Sequence, residues 1–159
     1  MVRRSNEKSE ARRQAIRALA RMARLLERSS GDLNLAHYRV LAAVADGDER
    51  ASRVADRLAL GKPTVSAAVE SLTGRGLLSR ADAEDDRRAA TLTLTPAGEA
   101  ALGAVEAGML ERLDALCART PDPDAVLESL AHLGEALDEV AAERLAARKA
   151  TRRAGEKPA

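Results

Sequence analysis

The chain has 159 residues and a mass of 16.9 kDa, a length that suits one domain with an added arm. Hydrophobic residues make up 45% and charged residues 32%, a globular balance that excludes a fibrous or disordered chain. Tyr38 is the only aromatic residue and Cys117 the only cysteine. These counts exclude an aromatic platform for single-stranded nucleic acid, a disulfide framework and a cysteine-based zinc finger.

Neither a leader segment nor a membrane span is predicted. The basic N-terminus is not followed by an apolar stretch, and no apolar run approaches the ~18 residues of a spanning helix. A single cysteine also fits a reducing compartment. The sequence therefore predicts a soluble cytoplasmic protein with no membrane partner.

The net charge of +1 conceals a strong asymmetry along the chain. Such asymmetry favours basic surfaces for a polyanion, although solvated helix faces in a chain rich in Arg and Glu are the alternative. The formal charges are +6 for residues 1–30, −3 for 31–49, +2 for 50–96, −9 for 97–143 and +5 for 144–159.

Apolar residues recur at helical spacing through the first half of the chain and predict four helices. Asn34 suits the N-cap of the second helix, and Pro63 is tolerated in the first turn of the fourth. The predicted helices cover residues 6–29, about 35–45, about 51–59, and a segment from near 63 that Gly74 and Gly76 end.

The hydrophobic period then changes from helical to alternating, which predicts a β-hairpin. Its strands are residues 77–80 and 90–95, and residues 81–89 form a long charged tip. Thr95, followed by Pro96, is predicted to cap a fifth helix, a sixth extends to about residue 150, and residues 151–159 are expected to be a flexible basic tail. The predicted fold is mainly α with a small β-hairpin, with about six helices and two to three short strands.

Helix, short turn, helix and charged hairpin is the order of a winged helix-turn-helix, in which the second helix of the pair enters the major groove of DNA. Any small amphipathic helix with a polar face looks similar, so this segment alone leaves the role open. The candidate residues for base and phosphate contacts on the fourth helix are Lys62, Pro63, Thr64, Ser66, Ala67 and Glu70.

The hairpin carries a denser pattern, which resembles the wing motif of the multiple-antibiotic-resistance regulator (MarR) family of bacterial transcription factors. The resemblance extends to residues 60–66 and 76–80 and, with the flanking helices, covers about residues 10–148. Its motif residues are Arg80, then Asp86, Arg87 and Arg88, then Leu92 and Leu94, then Thr95, Pro96, Ala97 and Gly98.

The resemblance implies a homodimeric, sequence-specific regulator of transcription, a repressor, that binds a pseudo-palindromic operator in double-stranded DNA. Residues 1–30 and 97–150 would supply the dimerisation helices, and residues 31–96 the winged helix-turn-helix domain. The residue pattern also favours a homodimer, because the apolar stripes of the first, fifth and sixth helices are too long for so small a winged core to cover. The sixth helix alone would extend about 40 Å.

Within the wing, the resemblance implies that Asp86 pairs with an arginine across the hairpin base, while Arg87 or Arg88 reaches a minor groove. The acidic residues of the tip could suggest a metal site, but they lack the ligand register and the glycine of a calcium loop. No metal or cofactor is therefore expected. Ala67 and Glu70 offer few base donors, so specificity should depend on the wing and on DNA shape.

Many members of the family bind a small aromatic or phenolic anion between the dimer helices and the winged domain. Arg21 or His37 would meet the charge of such an effector. Alternatively, His37 and Tyr38 complete the core of the second helix, and the arginines form a solvated face. The candidate lining residues are Arg17, Arg21, His37, Tyr38, Met109 and Leu113.

No catalytic arrangement of residues is apparent, so an enzyme is not expected. His37 and His132 lie in different helices without a nucleophile at a suitable spacing. Cys117 lies on an apolar helix face, where packing is the alternative to an oxidation sensor. The rival function is a winged helix that serves protein interaction or dimerisation without reading DNA.

Overall fold

The computed structural model describes residues 2–29, 31, 33–47, 50–81 and 91–155. Within these ranges it contains six α-helices and one two-stranded sheet, which confirms the predicted mainly helical fold with a small hairpin. The elements are α1 (Val2–Ser29), α2 (Leu35–Ala45), α3 (Ala51–Arg57), α4 (Lys62–Gly74), β1 (Leu78–Ala81), β2 (Thr91–Leu94), α5 (Pro96–Cys117) and α6 (Pro123–Gly155).

Two helices are longer than predicted. The predicted first helix began at residue 6, whereas α1 begins at Val2. The predicted sixth helix ended near residue 150 and gave way to a flexible tail, whereas α6 continues to Gly155. Alanine and arginine are strong helix formers, and no glycine or proline interrupts residues 135–154, so the helix has no reason to stop at residue 150.

The principal core lies among α2, α3, α4 and the hairpin, and we call this part of the chain the winged unit (residues 33–47, 50–81 and 91–95). Asn34 starts it by capping α2, because its side-chain oxygen accepts a hydrogen bond of 2.8 Å from the backbone N–H of His37. Its largest fully buried side chains are Val40, Leu41, Val54, Val65, Val69, Leu72, Leu78 and Leu92.

The turn between α3 and α4 sets the angle of the helix pair. The backbone N–H of Leu60 reaches the carbonyl of Ala55, and Ala59 has a φ of 50°, a left-handed conformation that glycine adopts at lower cost. The equivalent position after α4 is Gly76, with a φ of 69°. The chain therefore accepts backbone strain at Ala59 to enter α4.

The two strands of the hairpin are antiparallel, and their register pairs Leu78 with Leu94 and Arg80 with Leu92. Leu78 and Leu92 turn into the core, whereas Arg80 is exposed. The first strand lies one residue later than predicted, because Leu77 belongs to the turn after α4. The second strand is shorter than predicted, since Thr95 forms the cap of α5.

The three long helices, α1, α5 and α6, form an arm beside the winged unit. Large apolar side chains remain exposed along it, including Ile16 at 67% and Leu137 at 69%. No described helix is both long and apolar enough to cross a membrane. The other exposed large apolar side chains of the arm are Leu19, Leu110, Leu116, Leu127, Leu133 and Val140.

Candidate nucleic-acid interface and adjoining cavity

Helix α4 presents one face to the core and the opposite face to solvent. Its inner stripe, which includes Val65, Val69 and Leu72, is buried at the helical period. The structure places all six candidate contact residues of this helix on the exposed surface: Lys62, Pro63, Thr64, Ser66, Ala67 and Glu70. An exposed face of mostly small side chains allows the backbone of α4 to approach a partner closely.

The N-terminus of α4 favours an anion. Gly61 is the N-cap and provides no side-chain hydrogen bond, and the first turn has no acidic residue. The first amide groups of the helix therefore keep free hydrogen-bonding capacity next to the positive charge of Lys62. A helix terminus of this kind binds phosphate readily. Glu70, two turns further along, offers an acceptor and no donor.

The wing begins beside this helix. Arg80 lies on β1 and its side chain is exposed, whereas the neighbouring hydroxyls of Ser79 and Thr93 hydrogen-bond to each other across the strands at 2.6 Å. The strands end at the paired residues Ala81 and Thr91. The predicted contact residues Asp86, Arg87 and Arg88, and the acidic cluster of the tip, lie outside the described residues.

A junction between the hairpin and α5 fixes the wing relative to the arm. The hydroxyl of Thr95 accepts a hydrogen bond from the N–H of Gly98 at 3.0 Å and donates one to the carbonyl of Gly76 at 2.6 Å. A Cβ atom at Gly98 would collide with the carbonyl oxygen of Leu77. The predicted cap of the fifth helix at Thr95 is thereby confirmed, whereas the hydrogen bond to Gly76 and the close approach at Gly98 were not predicted from the sequence.

A cavity of about 410 Å³ opens where the winged unit meets the arm. Three of the candidate effector residues, Tyr38, Met109 and Leu113, line it. The remaining lining residues are Met22, Leu26, Leu35, Glu106, Leu110 and Leu130. The cavity is thus formed by α1, α2, α5 and α6 together, and its walls are mainly apolar.

The structure does not bring the other three candidates into this cavity. Arg17 and Arg21 line a separate depression on α1 together with Gln14 and Ala20. Successive residues of a helix are turned by about 100°, so the face that places Met22 in the cavity directs Arg21 elsewhere, and Tyr38 and His37 are related in the same way. The predicted meeting of an anion with Arg21 or His37 is therefore not supported by their placement.

The electrostatics of the cavity are those of an acidic site. Glu106 is its only charged residue among the described lining residues. The pKa of Tyr38 is raised, first by burial and then by the negative charges of Glu106 and Asp46. Glu106 was missed by the sequence analysis, although its spacing from Leu102 and Met109, four and three residues, places it beside the buried stripe of α5.

His37 is a half-buried neighbour of the cavity rather than part of its wall. Its Nδ1 atom is buried and has no hydrogen-bond partner among the described residues. Burial, and secondarily the positive charge of Arg75, lowers the pKa of this imidazole. The neutral form is therefore favoured in the folded chain, which makes His37 a poor partner for an anion.

Comparison with known families finds a match over most of the winged unit. The sequence model of the MarR family matches residues 31–89. No curated protein matches the chain significantly.

Among solved structures, three similar ones cover most of the chain. A MarR family transcription regulator has a TM-score of 0.73 at 18% identity, covering 90% of this chain and 95% of its own. Staphylococcus aureus MarR, in complex with salicylate and kanamycin, has a TM-score of 0.70 at 20% identity, with coverages of 84% and 91%. Bordetella bronchiseptica BpsR, whose DNA binding is regulated by 6-hydroxynicotinic acid, has a TM-score of 0.64 at 24% identity, with coverages of 79% and 98%.

Proposed function

We propose that the chain is a winged-helix transcription regulator of the MarR family, which binds double-stranded DNA sequence-specifically as a homodimer and represses transcription. The observation that carries the proposal is the exposed face of α4, because its small side chains and an N-terminus without a side-chain cap suit a major groove. The proposed role is non-catalytic.

The homodimer is supported by the exposed apolar side chains of the arm. Ile16 and Leu137, on α1 and α6, each expose about two thirds of their surface in a single chain. A monomer that leaves such side chains in water is unfavourable, and a second copy supplies the same faces in a two-fold arrangement. Two winged units related by that symmetry would read a pseudo-palindromic site with half-sites one helical turn apart, roughly 34 Å.

Specificity in this proposal depends more on the wing than on α4. Ala67 and Glu70 provide no donor for guanine or phosphate on the exposed face of α4. Arginines at the hairpin, by contrast, are suited to a narrow minor groove with its enhanced negative potential. In this proposal α4 contacts bases through Ser66 and Thr64. The wing inserts Arg87 or Arg88 into the minor groove, and the two sets of contacts complement each other.

The test is to select bound duplexes from a random pool and to measure their affinity for variants. We expect a two-fold symmetric consensus, and we expect Arg88→Ala to weaken binding by about 1–3 kcal/mol per contact. Arg119→Ala is the matched control, because Arg119 is exposed in the turn between α5 and α6, away from the winged unit.

Three outcomes would count against the proposal. A pool without enrichment would favour a winged helix that serves protein interaction without DNA readout. An affinity that is unchanged in Arg88→Ala would remove the wing from the mechanism. Equal reductions of affinity in Arg88→Ala and Arg119→Ala would indicate nonspecific charge attraction. In that case the protein should also elute from heparin at modest salt.

We further propose that the cavity beside Tyr38 binds an aromatic effector that releases the DNA. The cavity lies between the winged unit and the arm, so a ligand bound there could change the distance between the two winged units of the dimer. A ligand that prefers the non-binding conformation by about 100-fold, near 2.7 kcal/mol, would be sufficient for substantial release. Since Glu106 is in the wall, an uncharged or cationic aromatic molecule is favoured over the anion that the sequence predicted.

The effector proposal is tested by titrating a charge series into the protein–DNA complex. Salicylate, the uncharged salicylamide and a cationic aromatic amine of similar size are compared on the wild type and on Glu106→Gln. We expect release in the order amine, amide, salicylate, with the preference for the amine abolished in the variant. Preferential release by salicylate would contradict the charge argument, and equal release from Tyr38→Ala would exclude the cavity.

A further inference from the structure

The strand β2 passes into the helix α5 through a single residue, Thr95. Its backbone is extended, with a φ of −85° and a ψ of 164°, and α5 begins at the next residue. Hinges in proteins are often a few residues at the end of an element, where rotation about φ and ψ turns one part against another. Thr95 therefore lies where such a rotation would turn the winged unit against the arm.

The hydrogen bonds of Thr95 restrain this rotation. Its hydroxyl donates to the carbonyl of Gly76 at 2.6 Å and accepts from the backbone N–H of Gly98 at 3.0 Å. Its own backbone N–H donates to the carbonyl of Leu77 at 3.2 Å. One residue thus joins the turn after α4, the residue before β1 and the first turn of α5.

Only part of this arrangement is needed to start a helix. An N-cap side chain accepts a hydrogen bond from an N–H of the first turn, which here comes from Gly98. The bond that the hydroxyl donates to Gly76 adds nothing to the cap, because Gly76 lies 19 positions earlier in the chain. The cap of α6 is an ordinary one by comparison: Asp122 accepts from the N–H of Ala125 at 3.0 Å, and a carboxylate has no hydrogen to donate.

A close contact of backbone with backbone adds a second restraint. Gly98 is buried, and a Cβ atom there would collide with the carbonyl oxygen of Leu77 and lie 3.1 Å from a methyl group of Leu94. The packing of α2 on α5 and of α3 on α6 also joins the winged unit to the arm. Packed helices can slide past each other by small shear movements, whereas directional bonds to backbone groups permit less movement.

The turn after α4 is itself fixed to that helix. The N–H groups of Gly76 and Leu77 bond to the carbonyls of Thr73 and Leu72, each at 2.9 Å, and Gly76 has a φ of 69°, which together form a Schellman motif. The Gly76 carbonyl therefore moves with α4, which extends about 20 Å from it. A tilt of about 10° at Thr95 would move the other end of α4 by about 3.5 Å, close to the rise of one base pair.

We propose that Thr95 is a positioning residue, which fixes each winged unit on the arm and thereby sets the half-site spacing that the dimer accepts. This inference rests on the proposed function. Two linked winged units gain from each other only when their geometry allows both to bind at once. With the junction restrained, the winged units cannot tilt to follow half-sites at another spacing. Without the restraint they would tolerate other spacings, and they would lose affinity for the correct one because the junction must be ordered on binding.

The experiment uses the full-length protein and a duplex that the wild type selects from a random pool. Further duplexes lengthen or shorten the segment between the half-sites by one or two base pairs. Affinity for each duplex is measured for the wild type, Thr95→Val, Thr95→Ser and Asp122→Ala. Thr95→Val removes both bonds of the hydroxyl, Thr95→Ser keeps them, and Asp122→Ala removes a helix cap elsewhere. Sedimentation and thermal unfolding of each variant report the dimer and the fold.

We expect the affinity of the wild type to fall about tenfold or more when the spacing changes by one base pair. Thr95→Val should bind the selected duplex about fivefold more weakly, and its loss on changing the spacing should shrink to about threefold or less. Thr95→Ser and Asp122→Ala should keep the wild-type loss. This ratio separates positioning from a merely structural role, because a loss of helix capping alone does not change which spacing is preferred.

A Thr95→Val variant that keeps the wild-type ratio overturns the inference while the proposed function stands. A wild type that binds all spacings equally, or an Asp122→Ala variant that loses the preference as Thr95→Val does, overturns it as well. If Thr95→Val does not fold, Thr95→Asp decides, because a carboxylate can accept from Gly98 but cannot donate to Gly76. A wild-type ratio in Thr95→Asp then overturns the inference. A wild type that selects no duplex, or only a single half-site, overturns the proposed function and this inference with it.

Discussion

The winged unit and the arm differ in how completely one chain buries its apolar side chains. In the winged unit, Leu41 and Leu72 have no exposed surface. In the arm, Ile16 and Leu137 expose 67% and 69%. One chain thus buries the apolar side chains of its winged unit, whereas the apolar side chains of the arm would need a partner surface to be buried. In the proposed dimer, the winged unit would contact the DNA and the arm would set the distance between the two winged units, so the two tasks would belong to parts with different folding requirements.

The largest expected effect comes from making the same change in each region. Leu41→Ala should lower the free energy of unfolding by about 2–5 kcal/mol, because it leaves a cavity in a closed core. Leu137→Ala should leave the fold of the winged unit intact and shift the protein from dimer to monomer. Denaturant unfolding and sedimentation of both variants check this prediction. If Leu137→Ala lost as much stability as Leu41→Ala and did not dissociate, the two regions would not differ in how one chain buries its apolar side chains.

The junction between the two regions is tested by a pair of glycines on α5. Gly98→Ala would drive a Cβ into the Leu77 carbonyl oxygen, so we expect a destabilisation of about 3 kcal/mol. Gly103→Ala meets nothing within 4 Å and should stabilise α5 by up to about 1 kcal/mol. Thermal unfolding measures both, and a neutral Gly98→Ala would show that the wing is not fixed on α5 by this close approach.

A substitution in the turn between α3 and α4, within the winged unit, should stabilise the protein rather than destabilise it. Ala59→Gly should raise the free energy of unfolding by about 1 kcal/mol, because it relieves a left-handed backbone at a φ of 50°. Gly76→Ala introduces the same strain after α4 and should lower stability by a similar amount. If Ala59→Gly destabilises the protein instead, the gain in entropy of the unfolded chain exceeds the strain at this turn.

The smallest expected effect is a pH dependence at the boundary of the two regions. Burial lowers the folded-state pKa of His37, so below about pH 6.5 the unfolded chain binds a proton that the folded chain does not. Stability should therefore fall as the pH decreases from 6.5 toward the folded-state pKa. Unfolding of the wild type and of His37→Gln at about pH 7.5 and about pH 5 isolates this contribution. An equal pH dependence in the two proteins would assign it to other groups.

Local features of the winged unit were predictable from the sequence. Asn34 was identified as the cap of α2, and the inner stripe and outer face of α4 followed from their spacing. These features depend on residues three or four positions apart, which the helical period fixes directly. The same reasoning predicted exposed apolar stripes on the long helices, because it required no knowledge of how those helices cross.

The cavity was not predictable in the same way. Tyr38, Met109 and Leu113 line the cavity, whereas Arg17 and Arg21 line a separate depression and His37 is not among the lining residues, and an effector role for any of them stays a prediction. Periodicity shows which residues share a face, whereas a cavity depends on how four helices distant in sequence meet. The packing of α6 against α3 escaped prediction for the same reason, since it joins residues about 85 positions apart in the sequence.

Sedimentation equilibrium of the wild type at micromolar concentration tests the central claim most directly. If the winged unit is complete in one chain and the arm is completed by a second copy, the measured mass should be about twice 16.9 kDa. Leu137→Asp, which places a charge on the exposed face of α6, should give a monomer whose winged unit is still folded. A stable, folded 16.9 kDa monomer of the wild type would contradict the account, because the apolar face of the arm would then need no partner.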